Sequence, residues 1–407
     1  MDKSKAGQRV VPVECFINTG TEPAPLDAES GRRILPGGGI PGLSGSAAAP
    51  ITYSQYMGSI ERYLCKNSHR ALKNLLKKQG FQSPSSSFDA ESHIPAFETI
   101  LRIELISEKH GAFYSVSRLR LYFADEVRSF AINCAFSTEQ QAFLKVESKL
   151  NAKLNSRFGL PHIPIVFLCA KTTTDGAGGE IMLSISGWFD GHHEFHLSPN
   201  DSGAPVLKVW APSSPQCLLS EAETVQLYEQ ASAILTSYLD TRSFSQIYPW
   251  HHAAGDFVVD RLQNPLSLKL ITVRGYRPLL AAKSVRTDKM LASLHFFVNL
   301  SIRMRIDRLD GTGDLVWAGP QALRGVVRGF RRAWKGGPHE DRDLPKAREI
   351  FSLFLDLSPE ERLAFAEAAA ADGRVEADEG DFLLLHLPRH VIELSDALAD
   401  VLSLREP

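Results

Sequence analysis

Cysteine is scarce and unpaired in this sequence. The five cysteines (Cys15, Cys65, Cys134, Cys169 and Cys217) are widely spaced and include no CxxC pair. An odd, scattered set excludes a disulfide framework and the paired spacing of a zinc finger. Long apolar runs are missing too: the longest, Ile163–Ala170 and Phe382–Leu385, fall far below the roughly 18 residues of a membrane span. Behind the charges of Met1–Arg9 there is no apolar stretch of signal-peptide type, so the cytoplasm is the expected location. Nor is there an excess of one charge. Lys and Arg number 45 against 47 Asp and Glu, a formal net charge of −2. That balance gives no general pull toward nucleic acid or anionic lipid, which would need a local patch. A protein partner or a small molecule is expected instead, and no repeat of solenoid period is found.

What is present is ordinary globular composition, 43% hydrophobic and 23% charged over 407 residues. Such a chain can bury a core without disulfides or a structural metal, in two to three domains or one bilobal unit with extensions. Residues 1–50 are expected to form a flexible leader, because residues 19–50 are rich in Pro, Gly, Ser and Ala with little periodicity. On that reading residues 19–50 are dispensable for folding. Residues 51–90 read as a basic helical segment and linker. Tyr53–Gln79 places Tyr56, Ile60, Leu64, Leu72, Leu75 and Leu76 broadly on one side, and Gly80 is a plausible stop. Lys66, Arg70, Lys73, Lys77 and Lys78 form the other side, read as a solvated helix face.

Residues 91–190 are β-rich. Ile100–Ser107 and Phe113–Phe123 flank a hairpin-type turn at Glu108–Gly111, and Phe130–Phe136 is a third strand. Ser137–Gln140 has the pattern of a capping box, opening a helix that runs to about Arg157. Two further strands, Ile163–Ala170 and Glu180–Trp188, follow. Residues 191–344 turn mainly helical, with a second capping box at Ser220–Glu223, a strand at Leu268–Val273, and helices over Lys289–Ile306 and Gln321–Trp334. Residues 345–407 form a helical extension: a helix over Ala347–Leu355, a third capping box at Ser358–Glu361 with Gly373 as its stop, then one or two helices interrupted at Pro388.

This order of elements resembles the protein-kinase-like and aminoglycoside-phosphotransferase-like fold family over Ile100–Trp334. Phe130–Asn133 is similar to the family's Val-Ala-Ile-Lys strand, with Asn133 where the phosphate-binding lysine belongs. Glu147 falls where the family has the glutamate that pairs with that lysine. Trp188–Gly191, which includes Asp190, resembles the hinge whose backbone receives adenine. His251–Val259 resembles the catalytic segment, with His251 at the place of the catalytic aspartate and Asp256 at that of the metal-binding asparagine. Thr272 stands where the magnesium-binding aspartate would close a strand. The resemblance implies an α+β, two-lobed kinase-like fold: an N-terminal antiparallel sheet with one helix, then a mainly helical lobe and helical tail. It also implies nucleotide contacts at Asn133, Glu147 and Asp190. Phosphoryl transfer is mostly positioning and charge neutralisation by a lysine, Mg²⁺ and an orienting aspartate. Asn133 cannot neutralise a phosphate and Thr272 is a poor Mg²⁺ ligand, so Asp256 alone remains as a hard-cation ligand.

Other residues carry chemistry of their own. His192, Glu194 and His196 would share one face if they lay on a strand, and such a set suits Zn²⁺ or Fe²⁺, with Asp256 as a further ligand. His251 and His252 could act as acid and base near neutral pH. Ser198, Ser202 and Ser243 lack a nucleophile-elbow context. Arg324, Arg328, Arg331, Arg332 and Lys335 make a basic helix end that reads as a solvated face. Two functions fit: a catalytically impaired kinase-like module that regulates or binds, or an enzyme (phosphotransferase-like or metal-dependent) using the loop of His251, His252 and Asp256. A nucleotide or a divalent metal is the candidate cofactor. Trp250–Asp256 is expected to be the most functionally sensitive stretch, lying between the two lobes.

Overall fold

A computed structural model describes residues 11–20, 22–36, 50–80, 97–111, 113–174, 179–211, 214–250, 253–280, 288–335, 344–373 and 378–403. The fold is α+β. The chain divides into two compact units, Met1–Ala152 with Pro164–Asp190, and Lys153–Ile163 with Gly191–Pro407. Among the described residues, no helix is long and apolar enough to cross a membrane.

The first unit holds β1 (Val13–Asn18), β2 (Pro23–Pro25), α1 (Tyr53–Gly80), β3 (Arg102–His110), β4 (Ser115–Tyr122), β5 (Val127–Ala135), most of α2 (Thr138–Phe158), β6 (Val166–Thr173) and β7 (Glu180–Gly187). Its seven strands run in the order β2-β1-β3-β4-β5-β7-β6. All neighbours are antiparallel except β1 and β3, which are parallel. Alternation selects the faces. On β7, Ile181, Leu183 and Ile185 join the core that also contains the apolar side of α1. Met182 packs with Ala135 and Leu144 of α2, and Ser184 accepts from Ser148 of α2 at 2.9 Å. The sheet is therefore covered by α1 on one face and by α2 on the other.

Residues 1–50 are not a leader throughout. β1 adds to the sheet through a β-rich run, Val13–Ile17, and Leu35 is buried with its N–H donating to Ile51 O at 2.7 Å. The Pro/Gly-rich texture nearby masks these short apolar stretches; residues 37–49 lie outside the described residues. The Ser137 cap forms as expected, its Oγ accepting from Gln140 N at 3.2 Å.

The second unit begins with strands rather than helices. β8 (Phe195–Pro199), β9 (Pro205–Ala211) and β10 (Ser214–Leu218) form a three-stranded sheet in the order β10-β9-β8. Phe195, Leu197, Leu207 and Val209 supply its buried face. Then follow α3 (Glu221–Ser237), β11 (Gln246–Ile247), a four-residue turn α4 (Ala253–Asp256), β12 (Phe257–Asp260), β13 (Ser267–Leu270) and β14 (Tyr276–Arg277). α5 (Lys289–Arg303), β15 (Ile306–Arg308), β16 (Leu315–Trp317), α6 (Pro320–Lys335), α7 (Ala347–Asp356), α8 (Pro359–Asp372) and α9 (Glu379–Ser403) complete it. α3 and α6 cross closely. A Cβ on Gly325 would lie 2.6 Å from Val225 O and one on Gly329 2.1 Å from Glu229 O, so only glycine permits this approach. Pro388 does not interrupt the last helix; α9 runs through it. Its ring sits on the exposed side, where the lost amide donor costs least.

Candidate functional site

A tightly constrained polar group of the second unit is Asp256, at the end of α4. Ala254 is extended (φ −67°, ψ 140°) and Gly255 left-handed (φ +81°), a conformation glycine adopts without penalty. The turn directs Asp256 inward, where it is 2% exposed. Thr272 Oγ1 donates to its Oδ1 at 2.5 Å, and the Arg274 guanidinium lies 2.6 Å from the same oxygen. Its backbone carbonyl accepts from Ile271 N at 2.8 Å. The hairpin β12–β13 causes this meeting: Phe257 pairs with Leu270, so the residues flanking its two ends are neighbours. Asp256 and Thr272 thus come together, but around a guanidinium. Arg274 supplies the positive charge that a divalent cation would bring to a buried carboxylate.

His196 of β8 packs beneath the same turn. A Cβ on Gly255 would be 3.5 Å from its ring. Its Nδ1 lies 3.4 Å from Asp307 Oδ1, while Asp307 Oδ2 accepts from Leu197 N at 2.8 Å. The Trp210 ring covers it at 4.7 Å. His192 instead meets Ser267 Oγ at 3.2 Å, at the far end of the hairpin. His192 and Glu194 precede β8 rather than lying on it, so the three expected ligands do not line one strand face. Among the described residues no group of three or more His, Cys, Asp or Glu side chains could hold a metal ion. His251 and His252 lie outside the described residues.

In the first unit, Asn133 of β5 pairs in register with Ser184 of β7. Ser148, which donates to Ser184 at 2.9 Å, neighbours Glu147, a carboxylate only 3% exposed. Asn133 and Glu147 therefore belong to one polar layer between the sheet and α2. Asn151 lies in α2 one turn beyond, buried, and its Oδ1 has no hydrogen-bond partner among the described residues. Asp190 is exposed, beyond the end of β7. The nearby Trp188 ring carries the Arg118 guanidinium at 5.2 Å.

Two features escaped sequence reasoning. Arg274 has no motif around it, and only its closeness to the end of β13 hints at a partner. The second is a cavity of about 680 Å³ lined by His162, Gln226, Gln230, Asn264, Ser267 and Arg332. Burial, then the charges of Lys269 and Arg332, push the His162 imidazole down to about 4. Two cations of the basic end of α6 are paired: Arg324 with Glu221 at 2.9 Å and Arg332 with Glu229 at 2.7 Å.

No protein-family model matches the chain and no curated protein matches it, so what the site does is argued from its own chemistry.

Proposed function

We propose that the chain is a kinase-like module that regulates or binds and has lost the groups for ordinary phosphoryl transfer. The observation that carries this reading is the Asp256–Arg274 ion pair of 2.6 Å, closed by Thr272. Transfer from ATP needs a divalent cation bridging phosphate oxygens and anionic ligands to hold it. Here the one anionic residue at the corresponding positions is engaged by a cation of the chain itself. Where the resemblance would have the phosphate-binding lysine, Asn133 presents a neutral amide in a layer that contains the buried Glu147. Further support comes from the succession β3, β4, β5, α2, β6, β7 and the spatial order β3-β4-β5-β7-β6, with a hairpin following the long α3 in the second unit. The ligand on this reading is a protein or small molecule, with a nucleotide as an optional occupant.

The test is a pair of measurements on the purified full chain: release of inorganic phosphate from ATP with Mg²⁺ or Mn²⁺, and thermal shift with ATP with and without those ions. The expected result is no turnover and no metal-dependent shift. Metal-dependent turnover that is lost in Asp256→Asn would overturn the proposal and favour an enzyme built on the His251, His252 and Asp256 loop.

A further inference from the structure

The exposed side of α1 is cationic, and the simplest account is a solvated helix surface. Its charges are met unevenly. Lys73 pairs with Glu98 at 3.7 Å, whereas no carboxylate pairs with Lys66, Arg70 or Lys78 among the described residues. Arg62 and Lys66 are four residues apart in the helix, and like charges at that spacing work against it. Helix stability does not explain the pattern.

The backbone here is not regular either. Asn67 and His69 have φ of +51° and +61° inside α1, a left-handed conformation uncommon outside glycine, with Asn and His among its commoner exceptions. His69 is thereby turned inward to stack on Phe97 at 4.6 Å. Against this irregular stretch lies a cavity of about 320 Å³, walled by Tyr63, Lys66, Asn67, Arg70, Asn74 and Lys78 and closed by Phe167 and Leu168 of β6. Lys78 is anchored there, its Nζ donating to Phe167 O at 2.5 Å. No carboxylate lines the cavity.

We infer that this cavity in the first unit binds a small phosphorylated molecule. The three cations and two amides hold the phosphate, and the Phe167–Leu168 wall covers its organic body. Arginine grips phosphate through two parallel N–H bonds, while lysine acts as a point charge. At ~30 Å³ per water the space equals on the order of ten waters, enough for a phosphate on a body the size of a pentose. This site is separate from Asp256 and stands whether or not the kinase-like reading does.

The experiment is calorimetric titration of the full-length chain with ribose 5-phosphate, with ribose as the uncharged control. Saturable binding of the phosphate ester alone is expected. It should weaken about tenfold or more in Arg70→Ala and in Lys66→Ala, with their circular dichroism spectra unchanged. Lys77→Ala, outside the cavity, should bind as the parent does. Three results would overturn the inference: no binding at about 10 mM ligand, equal weakening in Lys77→Ala, or an RNA oligonucleotide that binds far more tightly with the same sensitivity to Arg70→Ala. The last would make α1 an extended nucleic-acid surface.

Discussion

Two buried polar sites, one in each unit, handle charge in opposite ways. In the second unit Asp256 is fully compensated, by a guanidinium at 2.6 Å and a hydroxyl at 2.5 Å. In the first, the layer between α2 and the sheet is assembled from amides, hydroxyls and Glu147, and leaves Asn151 Oδ1 without a hydrogen bond among the described residues. A compensated site resists change as a unit, because removing one member strands the other in low dielectric. A loosely satisfied polar layer stores an unrecovered desolvation cost instead. The first is a structural lock; the second is a place where a ligand or a substitution can still improve matters.

The strongest way to break that contrast is to remove the lock's cation. Arg274→Ala leaves Asp256 buried and uncompensated, and should destabilise the second unit by about 3–5 kcal/mol, as for breaking a buried ion pair. Asp256→Asn, which keeps the hydrogen bond from Thr272 while leaving a mostly buried guanidinium without its anion, should cost less, about 1–3 kcal/mol. Chemical denaturation monitored by tryptophan fluorescence checks both. If both variants melt with the parent, the pair is not a lock, and Asp256 returns as a candidate ligand for a metal. The first unit should respond with the opposite sign: Asn151→Leu removes an amide oxygen that is buried without a partner. A gain of about 1–2 kcal/mol is expected, bounded by the penalty for a buried unmade hydrogen bond. A loss of that size would show that Asn151 has a partner in the folded protein, and the two sites would then be alike.

Much of this was legible in the sequence, and the limit has a physical cause. Local signals were read well. The helix Tyr53–Gly80, its apolar side, and the caps at Ser137, Ser220 and Ser358 all depend on residues within about one turn of each other, and each is present. Pairings between distant segments were not readable. The parallel partnership of Cys15 with Leu105 joins residues 90 positions apart in the chain (105 − 15). The Arg274–Asp256 contact exists only because β12 and β13 fold back on each other. The cluster around His192 and His196 looked like a metal site because residue type was visible while direction was not. One imidazole turns to Ser267 and the other to Asp307.

The smallest expected effect concerns a third arrangement, in which a titratable group faces like charge. His162 is flanked by Lys269 and Arg332, and burial together with those two cations lowers its imidazole from the ordinary 6.5 to about 4. Lys269 Nζ donates to Pro161 O at 2.9 Å and Arg332 pairs with Glu229 at 2.7 Å, which keeps both cations near the ring. Between about 4 and 6.5 the unfolded chain carries a proton on this histidine that the folded chain does not. The contribution of His162 to stability must therefore fall as pH drops through that window, and level off below it. Other histidines also have lowered values, among them His69, His110, His295 and His390, so the parent profile alone assigns nothing. The informative quantity is the difference between parent and His162→Gln, measured by denaturation at matched ionic strength. It should be constant above neutral pH and shift by about 1 kcal/mol in favour of the variant between pH 6.5 and 4; that is below the full value of the shift because solvent screens a partly exposed ring. Parallel profiles would mean that His162 protonates freely in the folded state, and that the field of Lys269 and Arg332 does not reach it.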